Sequence, residues 1–262
     1  MGENMNFEDV KYEVRDGVAH ITIDRPKVMN AFRAQTCEEL IRAFQMASVD
    51  RNVGVVVLGG AGDRAFCTGG DQSSHSGSYG GRGTIGLPVE DLHAQIRDLP
   101  KPVICRVQGY AIGGGNVLAT VCDFTIASEK AIFGQVGPKV GSVDPGYGTA
   151  YLARVVGEKK AREIWMLCRK YSAQEALAMG LVNAVVPPEE LDTEIDRWCK
   201  ELLEKSPTAL AIVKRSINAD TESIRGIASL GMQAVALYYE TEEAKEGVRA
   251  YKEKRAPRFR SP

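Results

Sequence analysis

Two glycine-rich turns in this sequence could do chemistry: Thr68-Gly69-Gly70-Asp71 and Ile112-Gly113-Gly114-Gly115-Asn116. Each stands where a strand-like segment gives way to a helix-like one. A helix N-terminus carries N–H groups without intrahelical acceptors and the positive end of the helix dipole. Glycine lets a ligand come close to those groups. Two such turns facing one another supply two donors for one oxygen, which is what an enolate or a tetrahedral intermediate requires. Taken singly, each turn reads equally well as a tight turn, with Asp71 as a cap. The pair moves the reading toward chemistry, and so do three missing patterns. No GxGxxG follows the first strand, and neither GxxxxGK[ST] nor a GxSxG nucleophile elbow occurs. Asp144, in Gly141-Ser-Val-Asp-Pro-Gly-Tyr147, stands before Pro145, where the residues alone favour a helix N-cap ahead of proline at the first helical position.

These turns need elements to hold them. Val18, His20 and Thr22 alternate with Ala19, Ile21 and Ile23, which reads as a strand. Its hairpin partner is Val10 to Val14, turned at Asp16-Gly17. Thr36 to Ser48 reads as a helix with Thr36 as N-cap and Glu39 at capping-box spacing. Buried strands are expected over 54–58, 102–107 and 123–127, and helices over 88–98 and from the second glycine turn to Val121. The Gly- and Ser-rich stretch Gln72 to Gly86 is a long loop, of a kind usually functional or mobile. After Pro145 the pattern is helical over 146–156, 158–168, 174–179, 189–205, 208–219 and 223–253, with one short strand at 182–186. The expected class is α/β, a core domain over 1–200 followed by a C-terminal helical lobe over 201–262.

Composition narrows the function classes. The chain has 262 residues, 44% hydrophobic and 26% charged, as expected for an ordinary soluble globular protein. A formal net charge of −1 leaves no basic surplus for nucleic acid or an anionic membrane. No apolar run is long enough to span a bilayer, and no apolar leader or myristoylation pattern opens the sequence. None of the six cysteines has CxxC spacing, and the three histidines lie far apart, so no zinc site is expected. The expected setting is a reducing cytoplasm.

The segments RPKVMNAF (25–32), AFCTGGDQ (65–72), KPVICRVQGYAIGGGN (101–116), CDFTIAS (122–128), IFGQVGPKVGSVDPGYG (132–148), LARVVGEKKAREIW (152–165) and MGLVNAVVP (179–187) resemble the crotonase (enoyl-CoA hydratase/isomerase) superfamily. Within it the chain is most similar to the naphthoate synthase-like branch and its 2-ketocyclohexanecarboxyl-CoA hydrolases. The resemblance implies a spiral of ββα repeats, a C-terminal lobe that builds trimers paired into a homohexamer, and an acyl-CoA substrate. No cofactor is implied, since coenzyme A is part of the substrate. It also implies Gly70 and Gly114 as oxyanion-hole donors, Asp144 as acid/base and Ser142 as its hydrogen-bonding neighbour. Tyr239 matches a C-terminal tyrosine that reaches the site, and Tyr79 a loop tyrosine. Lys254 matches a lysine that meets a CoA phosphate. Lys27, Val28, Ala65, Gly69, Asp71, Gln72, Tyr110 and Gly113 fall in segments that line the thioester and pantetheine.

The same resemblance sets the expected reaction. Bicarbonate-dependent naphthoate synthases hold their base in a Gln-Thr-Gly run; here it reads Gln135-Val136-Gly137. The missing hydroxyl removes a hydrogen bond to an anion, worth about 1.5–3 kcal/mol. An arginine frequent in those synthases is replaced by Met29. Both departures favour ring opening by water over ring closure to 1,4-dihydroxy-2-naphthoyl-CoA, the alternative. A plain hydratase is less favoured, because Gly115-Asn116 and Val136-Gly137 stand near the places of its paired glutamates. A non-enzymatic scaffold or RNA-binding role is disfavoured by the near-neutral charge and the intact glycine pair.

Overall fold

The structure, a computed structural model, describes residues 7–73 and 78–260. The N-terminal stretch considered for targeting and part of the Gln72–Gly86 loop lie outside the described residues. β1 (Val10–Arg15) and β2 (Val18–Ile23) form the expected hairpin, with Asp16 and Gly17 both at positive φ. That is the backbone a two-residue turn needs to match the strand twist.

Helix α1 (Ala34–Val49) begins two residues before Thr36, and Arg33, not Thr36, is its N-cap. Thr36 stands inside the first turn, where its hydroxyl accepts the Arg33 N–H (3.1 Å) and donates to Asp9 (2.5 Å). Glu39 closes no box with it. Its carboxylate instead accepts the N–H groups of Glu8 and Asp9 at 2.9 and 2.7 Å, tying the start of the chain to the helix.

Three successive turns of strand, strand, helix follow. The first is β3 (Val55–Gly60), β4 (Ala65–Cys67) and α2 (Val89–Asp98). The second is β5 (Val103–Val107), β6 (Tyr110–Ile112) and α3 (Gly114–Val121). The third is β7 (Phe124–Ser128), β8 (Ile132–Gly134) and α4 (Gly137–Val140). A π-helical turn (Tyr147–Tyr151) then leads through α5 (Leu152–Val156) and α6 (Glu158–Leu167) to β9 (Lys170–Ser172). After α7 (Ala173–Ala178) and β10 (Ala184–Val186), the chain ends in α8 (Leu191–Leu203), α9 (Pro207–Ala219), α10 (Ser223–Tyr239) and α11 (Glu242–Lys252). The single helix expected over 223–253 is therefore two. Thr241 breaks it, accepting the Ala244 N–H as the N-cap of α11 (3.2 Å).

The first strand of each turn enters a six-stranded sheet, ordered β1-β2-β3-β5-β7-β10 and parallel beyond the hairpin. The second enters a four-stranded sheet, β4-β6-β8-β9, with only β9 antiparallel. The large sheet is covered on both faces, which is why Val55-Val-Val-Leu58 is an unbroken apolar run. Val56 and Leu58 join the main core with Leu40 and Phe44 of α1, whereas Val55 and Val57 pack with Leu191, Ile195 and Cys199 of α8. All six cysteines are free and buried. Among the described residues no helix is long and apolar enough to cross a membrane.

Candidate active site

The small sheet positions the site. Its three parallel strands β4, β6 and β8 run into Thr68–Asp71, Gly113-Gly114 and Gln135–Gly137. These three turns border one cavity of about 900 Å³. Its other walls come from Val28 to Phe32, from Tyr79 to Val89, from Ser142 to Asp144, and from Met232 and Tyr239 of α10.

Phe32 holds the first glycine turn like a strand partner. Its N–H donates to Gly69 O and its carbonyl accepts the Asp71 N–H, both at 2.8 Å. That pairing turns the Gly70 N–H away from Phe32. Among the described residues no backbone acceptor takes the N–H of Gly70 or of Gly114. The two turns touch: a β-carbon on Gly69 would stand 2.8 Å from the Gly114 nitrogen. Gly69 also has φ +83°, a conformation only glycine adopts readily. Two adjacent N–H groups at a cavity wall can meet one thioester oxygen.

Behind the first turn lies a buried polar frame that sequence reasoning missed. Arg25 pairs with Asp71 (3.0 Å), whose other oxygen accepts the Ser73 N–H and hydroxyl at 3.0 and 2.6 Å. Burial alone would raise the Asp71 carboxyl, but Ser73 and the Arg25 guanidinium hold it below the ordinary value. Asn30, 1% exposed and at φ +55°, donates to Ala61 O and Ala65 O (2.9 and 2.8 Å) and accepts the Arg25 N–H (2.9 Å). Arg25 and Asn30 both fall in the segment RPKVMNAF, yet their roles depend on partners some 30 to 45 positions away. Asn30→Ala strands two carbonyls and one N–H and favours the wrong φ. It is expected to cost roughly 3 kcal/mol, read as a lower urea midpoint at unchanged slope.

The far wall carries the titratable groups. Burial pushes the Asp144 carboxyl up to about 7; the Gly148 N–H on Oδ1 (3.2 Å) opposes that, and nearby Glu90 adds to it. Asp144 is not the N-cap expected from Pro145, since the following turn starts at Tyr147 with Gly146 in that place; its carboxyl accepts the Gly148 N–H from two residues upstream of the cap and also faces the cavity. The Ser142 hydroxyl meets Tyr239 Oη at 2.8 Å rather than Asp144, so it aligns the phenol and not the carboxyl. Burial raises the Tyr239 phenol, against the bond from Ser142, and the Asp144 charge adds to the rise.

Of the other residues expected from sequence, Val28, Gly69, Asp71, Gln72, Tyr79, Tyr110, Gly113, Gln135 and Gly137 border the cavity. Lys27, Ala65 and Lys254 do not. Ala65 is buried in β4, while the two lysines are exposed beside the site's borders. Tyr79 is only 8% exposed, and its hydroxyl rests on Gly70, 2.6 Å from where a β-carbon would be. Gln72 donates to that hydroxyl at 3.0 Å. Gln135 is 1% exposed, with neither its side-chain nitrogen nor its oxygen hydrogen-bonded among the described residues. Buried amides rarely stay unpaired, so a ligand or water is the natural partner.

Comparison with known proteins agrees with this architecture. The family model described as enoyl-CoA hydratase/isomerase matches residues 13–262. The chain is similar to the structure of an enoyl-CoA hydratase from Mycobacterium avium subsp. paratuberculosis K-10. Identity there is 33%, over 98% of this chain and 100% of that one, with a TM-score of 0.85. OdaA of Pseudomonas aeruginosa has 26% identity over 93% and 98%, also at 0.85. An enoyl-CoA hydratase from Bacillus anthracis has 30% identity over 96% and 99%, at 0.72. With the strand–strand–helix spiral and the paired donor turns, these matches place the chain in the enoyl-CoA hydratase/isomerase family, as a CoA-thioester-processing enzyme of the crotonase superfamily.

Proposed function

We propose that this enzyme opens the ring of a cyclic β-ketoacyl-CoA with water, by a retro-Dieckmann step. The observation that carries the reading is the Asp144 carboxyl, lifted to about 7 on the wall of the cavity that holds the two glycine donors. A carboxylate of that pKa is a general base matched to neutral pH. It takes a proton from water as the oxygen adds to the ring ketone. The adduct collapses, the bond from that carbon to the α-carbon breaks, and the electron pair moves into the thioester. Gly70 and Gly114 hold the resulting enolate oxygen. Tyr239, or water beside it, returns a proton to the α-carbon, and the proton taken up by Asp144 restores that donor by way of water in the cavity. The product is a dicarboxylic acid bearing CoA at one end, pimeloyl-CoA from a 2-ketocyclohexane ring.

In this reading Val28, Gly69, Asp71, Gln72, Tyr79, Tyr110, Gly113, Gln135 and Gly137 line the CoA and acyl portions, with the exposed Lys27 and Lys254 beside the cavity's borders, while Ala65, buried in β4, only supports the first glycine turn. The assembly is a homohexamer, for which the exposed Ile212, Ile217, Leu230 and Leu237 of α9 and α10 offer apolar surface. Hydration of an enoyl-CoA is the second reading, favoured by the names of the two hydratases above. Against it, no glutamate borders the cavity among the described residues, and its other carboxylate, Asp71, is bound to Arg25. Paired acids are therefore missing.

The test offers purified enzyme 2-ketocyclohexanecarboxyl-CoA, o-succinylbenzoyl-CoA and crotonyl-CoA, with products identified by mass spectrometry. Ring opening of the first is expected. Turnover of either other thioester, with the first untouched, rejects the proposal. Tyr239→Phe is expected to lower kcat by about 10²-fold and to leave KM within about twofold, as measured by steady-state kinetics.

A further inference from the structure

Arg97, near the end of α2, is 4% exposed. Among the described residues its one side-chain hydrogen bond runs from Nη2 to Thr221 Oγ1 (2.6 Å), and no carboxylate pairs with it. Its backbone is fixed too, the carbonyl accepting the Asn218 amide at 2.7 Å. A buried guanidinium needs compensation. Here the Asp123 charge acts on it from beyond ion-pair distance, and two aromatic rings supply the direct contacts. The guanidinium carbon lies 4.4 Å from the centre of the Tyr151 ring and 5.5 Å from that of Tyr147. His93, one turn earlier on α2, meets Tyr147 edge-on at 5.5 Å, and the two tyrosines meet edge-on at 6.0 Å.

Tyr147 and Tyr151 are the first and last residues of the π-helical turn. Such turns are rare and concentrate at functional sites. This one carries Gly148, whose N–H bonds Asp144 Oδ1 and whose carbonyl accepts the Trp165 indole N–H. It packs against α3, which starts at Gly114, and against α10, which ends at Tyr239.

We propose that Arg97 is a positioning residue: by stacking on Tyr147 and Tyr151 it fixes the π-turn, and so holds the Gly148 N–H on Asp144. The proposal rests on the reading of Asp144 as the base. The Gly148 bond is the contact that restrains the upward push of burial on this carboxyl, so loosening it raises the carboxyl further. The other titratable groups facing Asp144 are Glu90 on α2 and Tyr239 on α10. Those facing Tyr147 are His93, Arg97 and Asp98 on α2, with Glu222 and Arg225 at the start of α10. None of these changes in the variants below except Arg97 itself.

The test uses R97K, R97M, Y151L and Y151F in the full-length enzyme, with two readouts. One is the pH profile of ring opening. The other needs no substrate: titration of the Asp144 carboxyl by carbon-13 NMR in the free protein, assigned with D144N. R97K keeps the charge and loses the broad guanidinium that lies over the two rings. It is expected to lower kcat about tenfold with KM nearly unchanged, and to raise the apparent pKa in both readouts by about half a unit or more. Y151L, which leaves Arg97 in place, is expected to behave like R97K, and Y151F like wild type. The R97K/Y151L double variant is expected to be no worse than either single one.

A shift in R97M with none in R97K shows that charge alone acts, and overturns the proposal. So does a loss of melting temperature in R97K and Y151L with both pKa values unmoved. If no ring is opened by wild type, the reaction assigned above is wrong; an NMR shift in R97K and Y151L then still supports the clamp. Should the Arg97 variants fail to fold, Y151L decides the matter alone.

Discussion

Replacing Asp144 by asparagine is expected to lower kcat for the proposed ring opening by about 10³-fold, the scale of losing a general base, and to leave KM near its wild-type value. For the wild-type enzyme kcat/KM is expected to climb through about pH 7, because only the ionised carboxyl accepts the proton of water. In D144N that limb is gone. The substitution also stabilises the protein in a pH-dependent way. The carboxyl titrates near 3.9 in an unfolded chain and near 7 in the folded one. Below about pH 4 it is protonated in both states and costs nothing. Between about pH 4 and 7 the unfolded chain is ionised while the folded carboxyl keeps its proton, so the cost grows to on the order of 2–4 kcal/mol and stays level above pH 7. D144N is therefore expected to melt higher than wild type at pH 8 and alike at pH 4. Ring opening by D144N near the wild-type rate removes Asp144 from the mechanism; equal melting at pH 8 removes its buried charge.

Gly114→Ala is the second large effect, about 10²–10³-fold in kcat, the measured scale for losing one oxyanion donor. The new methyl would lie 2.5 Å from Phe32 Cζ and 3.3 Å from Gly69 Cα. The Phe32 ring tip can give way, but the Gly69 backbone is held by the Phe32 N–H, so the two donor turns are pushed apart. Gly69→Ala acts from the other side, setting a methyl 2.8 Å from the Gly114 nitrogen in a backbone conformation that disfavours alanine. Both variants should retain CoA-thioester binding, as measured by calorimetry, because the cavity is otherwise unchanged. Wild-type kcat in either would show that these N–H groups do not carry the reacting oxygen.

The elements that sequence displays best are those with two or more periods of apolar pattern. The β1–β2 hairpin and the Val55–Leu58 run are legible for that reason. β4, β6, β8 and β9 have three residues each, too few to alternate, and they are the strands that aim the site. Thr36 misleads because its hydroxyl does bond a nearby N–H, but from inside the helix, and because Glu39 is taken by residues 30 positions earlier. The glycine turns are visible as composition, whereas their contact is a property of the second sheet. Asp144 can be read as cap or base until its surroundings are known; in the folded protein it accepts a turn N–H and borders the cavity. The Arg25–Asn30–Asp71 frame and the Arg97 stack leave no local trace, since each joins segments far apart in the chain.

The order of the spiral turns has a consequence for how such an enzyme can be rebuilt. In the proposed reading its first two turns carry the two oxyanion donors, at Gly70 and Gly114, while the stretch from Gln135 to Tyr151 carries the base and its surroundings, with Tyr239 reaching in from α10. The donors and the base thus occupy separate stretches of one chain. Exchanging residues 135–151 for the matching stretch of a relative leaves the handle for coenzyme A in place and replaces the tool. Such a chimera should bind the same CoA thioesters by calorimetry while losing ring opening.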